Sequence, residues 1–202
     1  MKKFLIVLLA LLLICSVSFA EDAVSSATLA VEKLPLVEQA DNGILVAYFS
    51  PGEDTVKASA YTIASALSAD LFEIVPEEPY TADDLNYMDR KARSMVEMGD
   101  SASRPAVAGF PEDMSKYDTV FLCYPIWGGQ TPKILCTFIE GVDLGGKTVI
   151  PFATSNSSGF GSSDKTLKAL TDDTVVWEEG MGIRKGATAK EITDWVKGLA
   201  LQ

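Results

Sequence analysis

The 202-residue chain contains no histidine. That absence removes Ser-His-Asp and Cys-His catalysis, and every histidine metal site, at once. Cysteine is nearly as scarce: Cys15, Cys123 and Cys136, with no Cys-x-x-Cys spacing. Two cysteines beyond residue 20 do not make a disulfide framework, and both are expected as buried free thiols. Basic residues are a minority, 17 against 28 acids, for a net charge of −11. A surface this acidic repels nucleic acid and anionic membranes and favours cationic proteins or small molecules as partners. There is no internal repeat and no low-complexity tract. Any chemistry here is expected to come from a bound cofactor.

What is present begins with a leader. "MKKFLIVLLALLLICSVSFA" has Lys2 and Lys3, an apolar run over residues 4–14, and small residues Ser18 and Ala20. That order describes a secretory signal peptide, residues 1–20, cut after Ala20. The run is short against the roughly 20 residues of a membrane span, and bulky Ile14 argues against lipidation at Cys15. No twin arginine marks folded export. Cleavage removes two lysines and no acid, taking the net charge from −11 to −13. Residues 21–42 read as a tether, and residues 43–202 as the folded domain.

From residue 43 apolar runs of strand length alternate with segments of helical period. Strands are expected at 44–49 (ILVAYF), 70–75 (DLFEIV), 118–125 (DTVFLCYP), 147–154 (KTVIPFAT) and 174–179 (TVVWEE). Val56, Ala60, Ile63, Ala64 and Leu67 recur at helical spacing after the first. Thr81 is expected to open a helix carrying Leu85, Met88, Ala92, Met95 and Val96 on one face and ending near Gly99. Pro132 starts another helix, a short one surrounds Leu167 and Leu170, and Thr188 to Glu191 form a capping box on the last. Uninterrupted apolar strands between helices indicate an α/β fold: a five-stranded parallel sheet covered on both faces.

Ligands of such sheets sit at the carboxyl ends of the strands, so the turns after strands are the candidate site. The first is Ser50, Pro51, Gly52, Glu53, Asp54 and Thr55. Backbone N–H groups at a helix start and the Ser50 and Thr55 hydroxyls suit a phosphate; an ordinary capped turn is the alternative. The second is Tyr124, Pro125, Ile126, Trp127, Gly128 and Gly129. Trp127 can stack on a flat ring or simply cover the sheet end. The third is Thr154, Ser155, Asn156, Ser157, Ser158, Gly159, Phe160 and Gly161. Its small donors and acceptors suit the rim of a ring or a sugar chain, or a plain polar loop. Its "GFGSSD" is a poor dinucleotide fingerprint, with Asp164 in the third glycine's place.

Together "ILVAYFS", "DLFEIVPEEPY", "YDTVFLCYPIWGG" and "GKTVIPFATSNSSGFGSS" resemble a flavodoxin-like protein, in order and over nearly the whole domain. The resemblance implies the three-layer flavodoxin fold, with FMN bound at the sheet edge. It puts the phosphate on Ser50 to Thr55 and the isoalloxazine ring between the Trp127 turn and the loop from Thr154 to Phe160. It also implies electron transfer, with a basic redox partner meeting the acidic surface.

The first turn departs from that family's pattern, Ser-x-Thr-Gly-Asn-Thr. Here Gly52, Glu53 and Asp54 stand between Ser50 and Thr55. A carboxylate about 4 Å from a phosphate charge costs about 4 kcal/mol at an effective dielectric of about 20, roughly a thousandfold in affinity. The penalty fades if both side chains point to solvent. A second reading therefore stands beside the first: the fold without FMN, serving as a ligand- or protein-binding module. A third, an FMN-dependent quinone or nitro reductase, has no sequence feature in its favour.

Overall fold

The computed structural model describes residues 41–52, 54–156, 159–184 and 187–201, apart from the Asp54 side chain. The expected leader and all but the end of the tether, together with Glu53, Ser157 and Ser158, lie outside the described residues.

β1 (Ile44–Tyr48), β3 (Thr119–Pro125) and β4 (Thr148–Ser155) are the central strands, and nearly every residue in them is buried. Successive side chains alternate between the faces. Leu45, Ala47 and Phe49 join one core with Val120, Leu122 and Tyr124. Val46 and Tyr48 join the other with Phe121 and Cys123. α1 (Asp54–Leu67) and α5 (Ala189–Gly198) cover the second face through Val56, Ala60, Ile63, Ile192 and Val196. α3 (Lys133–Gly141) covers the first through Ile134, Leu135 and Phe138, and Leu167 of the short α4 (Lys165–Lys168) joins it. Continuous apolar strands thus arise because both faces are roofed. Cys123 and Cys136 are buried and free, as expected.

β2 (Asp70–Glu73) pairs outside β1 and β5 (Val176–Trp177) outside β4, and the parallel order is β2-β1-β3-β4-β5. After β1 the chain runs outward through α1 to β2; after β2 it crosses back to β3 on the other side of β1. The turns leaving β1 and β3 therefore diverge to opposite faces, and a crevice opens between them at the carboxyl end.

Two expectations need correction. The fifth strand is interrupted: β5 (Val176–Trp177) pairs with the start of β4, and β6 (Met181–Arg184) pairs with its end. The break faces Pro151. The Lys147 and Val149 carbonyls accept from Val176 and Glu178, so position 151 faces the same neighbour, and proline has no N–H to donate there. At the break Gly180 lies so close that a Cβ would sit 2.4 Å from the Pro151 carbonyl oxygen.

The helix expected from Thr81 also fails to form as such. Only α2 (Arg93–Gly99) is helical, and residues before it form consecutive turns. The Asn86 side chain accepts from the Met88 N–H, Asp89 from the Lys91 N–H, and Asp84 from the Thr81 N–H. Short polar side chains that bond nearby backbone compete with the helical ladder, and "DDLNYMD" is dense in them. Tyr87 and Met88 are consequently 75% and 78% exposed.

Candidate functional site

A cleft of about 1070 Å³ lies at the carboxyl ends of β1, β3 and β4. Ser50, Pro51 and Thr55 line it from the first turn. Pro125, Ile126, Trp127, Gly128 and Gly129 line it from the second, and Thr154, Ser155 and Asn156 from the third. The three expected turns therefore meet in one cavity. Gly52 turns the first loop with φ +71°, where a Cβ would press on Leu85. Gly159 and Phe160 are not among the lining residues. Phe160 packs back on β6, where a Cβ on Gly182 would meet its backbone nitrogen at 2.4 Å.

The second turn is tightly made. Trp127 and Gln130 exchange both backbone hydrogen bonds at 3.0 Å, with Gly128 and Gly129 at φ +55° and +82° between them. Two successive positive φ values define the turn that glycine tolerates best. The Ile126 N–H donates to the Thr154 carbonyl at 2.8 Å, which extends the β3–β4 ladder and ties the second turn to the third.

Trp127 stands against its own aromatic neighbours. Its ring meets Phe49 edge to face, centroids 5.8 Å apart, and Tyr80 likewise at 5.5 Å. The Tyr80 hydroxyl donates to Glu97 Oε2 at 2.5 Å, and Arg93 Nε donates to Glu97 Oε1 at 2.7 Å. The Arg93 guanidinium also lies 4.2 Å from the Tyr80 ring centroid. Burial, then the Glu97 carboxylate, pushes the Tyr80 phenol well above its usual range, so it stays protonated as a donor.

No described lining residue carries a formal charge, in a chain of net charge −11. Among the described residues no cluster of acidic, cysteine or histidine side chains suits a metal ion. None of their helices is long and apolar enough to cross a membrane.

Sequence reasoning missed one wall. Leu85, Tyr87, Ser94, Met95, Met98 and Gly99 line the cleft from the β2–β3 connection, and Val56 and Gln130 complete the lining. The available signal was length: residues 74–118 link β2 and β3, strands consecutive in the chain, far beyond the usual connection, and such loops tend to be functional.

The residues present fit a flavin mononucleotide. Hydroxyls and a helix start stand at one end, an aromatic flank and a polar rim at the other, and the volume suffices for a cofactor. A family model described as Flavodoxin matches residues 43–199. A flavoprotein candidate from Bacteroides eggerthii DSM 20697 is 42% identical with a TM-score of 0.72, over 79% of this chain and 98% of that one. One from Bacteroides uniformis ATCC 8492 is 41% identical, TM-score 0.72, over 76% and 97%. A flavoprotein from Lactobacillus acidophilus NCFM, solved in complex with FMN, shares the fold at 19% identity, TM-score 0.58, over 75% and 97%. No curated protein matches.

Proposed function

The chain belongs to the flavodoxin family, and from that premise we propose that it binds FMN noncovalently in the cleft and serves in electron transfer. The observation that carries this reading is the meeting of three strand-end turns around one cavity at the sheet's switch point. The FMN held by the Lactobacillus acidophilus relative lends it support.

In this reading the Ser50 and Thr55 hydroxyls and the first N–H groups of α1 take the phosphate. Gly52, Glu53 and Asp54 complete that turn. Trp127 flanks the ring, its plane set by Phe49 and Tyr80, and Pro125, Ile126, Gly128 and Gly129 shape the slot beside it. Thr154, Ser155 and Asn156 supply the polar rim, and Gly159 and Phe160 follow them in the third loop. FMN supplies the redox chemistry when bound, and the protein binds, orients and electrostatically tunes it. The chain's net charge of −11 disfavours an anionic reduced flavin and so lowers its potential.

The leader directs the protein out of the cytoplasm, where the cofactor is acquired after translocation. The acidic surface steers a basic redox partner. The reading without FMN rests on Glu53 and Asp54 alone. Colour separates the two: a purified protein that is yellow, or that quenches FMN fluorescence on titration, carries the first. A colourless protein that leaves FMN fluorescence unchanged carries the second.

A further inference from the structure

We infer that Tyr124 is a positioning residue for the ring slot: its hydroxyl, bonded to Ser163, holds the far end of the third loop on β3 and so sets the gap between that loop and the Trp127 turn. The inference rests on the FMN reading for what the gap admits.

Tyr124 lies near the end of β3 and is fully buried, in the core on the α3 face. Phenylalanine would fill the same apolar space. A buried hydroxyl needs a partner, and Ser163 supplies it. Ser163 is itself 1% exposed, and the two hydroxyl oxygens lie 3.1 Å apart, with either able to donate. Burial pushes the Tyr124 phenol well above its usual range, so it keeps its proton at neutral pH.

The end of β3 therefore grips the third loop at both ends. Just past the strand, the Ile126 N–H donates to the Thr154 carbonyl at 2.8 Å, where the loop begins. Tyr124 meets Ser163 where the loop ends, just before α4. Ser155 and Asn156, which line the cleft, lie between these two bonds. The same stretch of chain runs directly into Trp127, so the two sides of the slot share one support.

The other bonds around Ser163 are local. Its N–H donates to the Phe160 carbonyl at 3.3 Å, and the Lys165 N–H donates to the Ser162 carbonyl at 3.1 Å. Asp164 pairs with Lys168 at 2.6 Å. These contacts shape residues 160–168 without tying Ser163 to the sheet. The Tyr124 hydroxyl is the polar contact that does so.

Two variants remove the bond from either side: Tyr124→Phe, which keeps the ring, and Ser163→Ala. Hydrogen exchange of the Ser163 and Lys165 amides, read without FMN, is expected to be about fivefold or more faster in each than in the wild type. The double variant is expected to exchange no faster than either. Calorimetric titration is expected to show FMN bound about fivefold or more weakly by each, and the visible absorption band of the bound flavin is expected to shift. A purely structural role would lower the unfolding midpoint and leave that band unchanged. The inference is overturned if exchange is unaltered, if the two effects simply add, or if affinity or the band matches the wild type. Ser163→Ala decides where Tyr124→Phe does not fold. A wild type that ignores FMN, with exchange accelerated in both variants, ends the flavin reading and leaves the anchor standing.

Discussion

Tyr80 and Trp127 meet edge to face, ring centroids 5.5 Å apart and planes at 77°. They are 47 positions apart in the chain, one on the β2–β3 connection and one on the turn after β3. The buried Glu97 carboxylate fixes Tyr80 from behind, so the orientation of Trp127 depends on a residue outside all three strand-end turns. Tyr80→Leu is expected to remove an edge contact worth about 1 kcal/mol and to broaden the environment of Trp127. Tyr80→Phe keeps the edge and loses only the bond to Glu97. Near-UV circular dichroism, read without FMN, should change more for Y80L than for Y80F; equal spectra for both would remove Tyr80 from this role.

Gly182 is where the third turn depends on the edge of the sheet. A Cβ there meets the Phe160 backbone nitrogen at 2.4 Å and the Phe160 Cα at 2.7 Å. Backbone atoms have little room to yield, so Gly182→Ala is expected to cost about 1–3 kcal/mol and to displace Phe160 from β6. Denaturant unfolding measures the first effect. Weakened FMN binding reports the second, and an unchanged midpoint would show that the loop tolerates the shift.

Glu53→Thr with Asp54→Asn tests the acids of the first turn. Removing two carboxylates beside a phosphate seat should tighten FMN, by up to about a thousandfold for each one that lies about 4 Å from it. A fall in affinity would make the acids part of the site.

The cap of α5 sets an acid-pH signature. The Glu191 carboxylate accepts from the Thr188 N–H and hydroxyl, which holds it below the usual glutamate range. A depressed folded-state pKa stabilises above the unfolded value, about 4.3, and that contribution is lost as pH falls through the folded one. Glu191→Gln should therefore lower the melting temperature at neutral pH and converge on the wild type once the pH has fallen through the depressed folded-state pKa. A gap that persists in acid would contradict the linkage.

Most of the frame was legible because burial on both faces writes itself as unbroken apolar runs, as in "TVFLCYP" and "TVIPFATS". The turns were legible for the same reason: glycine and hydroxyl residues stood where those runs ended. Two features were not. The split fifth strand follows from one missing N–H at Pro151, which matters only once its neighbour is known. The wall at residues 85–99 carries apolar residues at helical spacing, yet Asn86 and Asp89 spend their side chains on local turns and leave Tyr87 and Met88 in solvent. Periodicity registered the apolar residues but not the surface they face.

The slot for a flat ring with a charged tail is tested most directly by calorimetric titration of the protein with FMN and with riboflavin, which lacks the phosphate. FMN should bind at one site with a dissociation constant of about 1 μM or tighter, at least about tenfold tighter than riboflavin. No binding of either, or riboflavin binding as tightly as FMN, would contradict it.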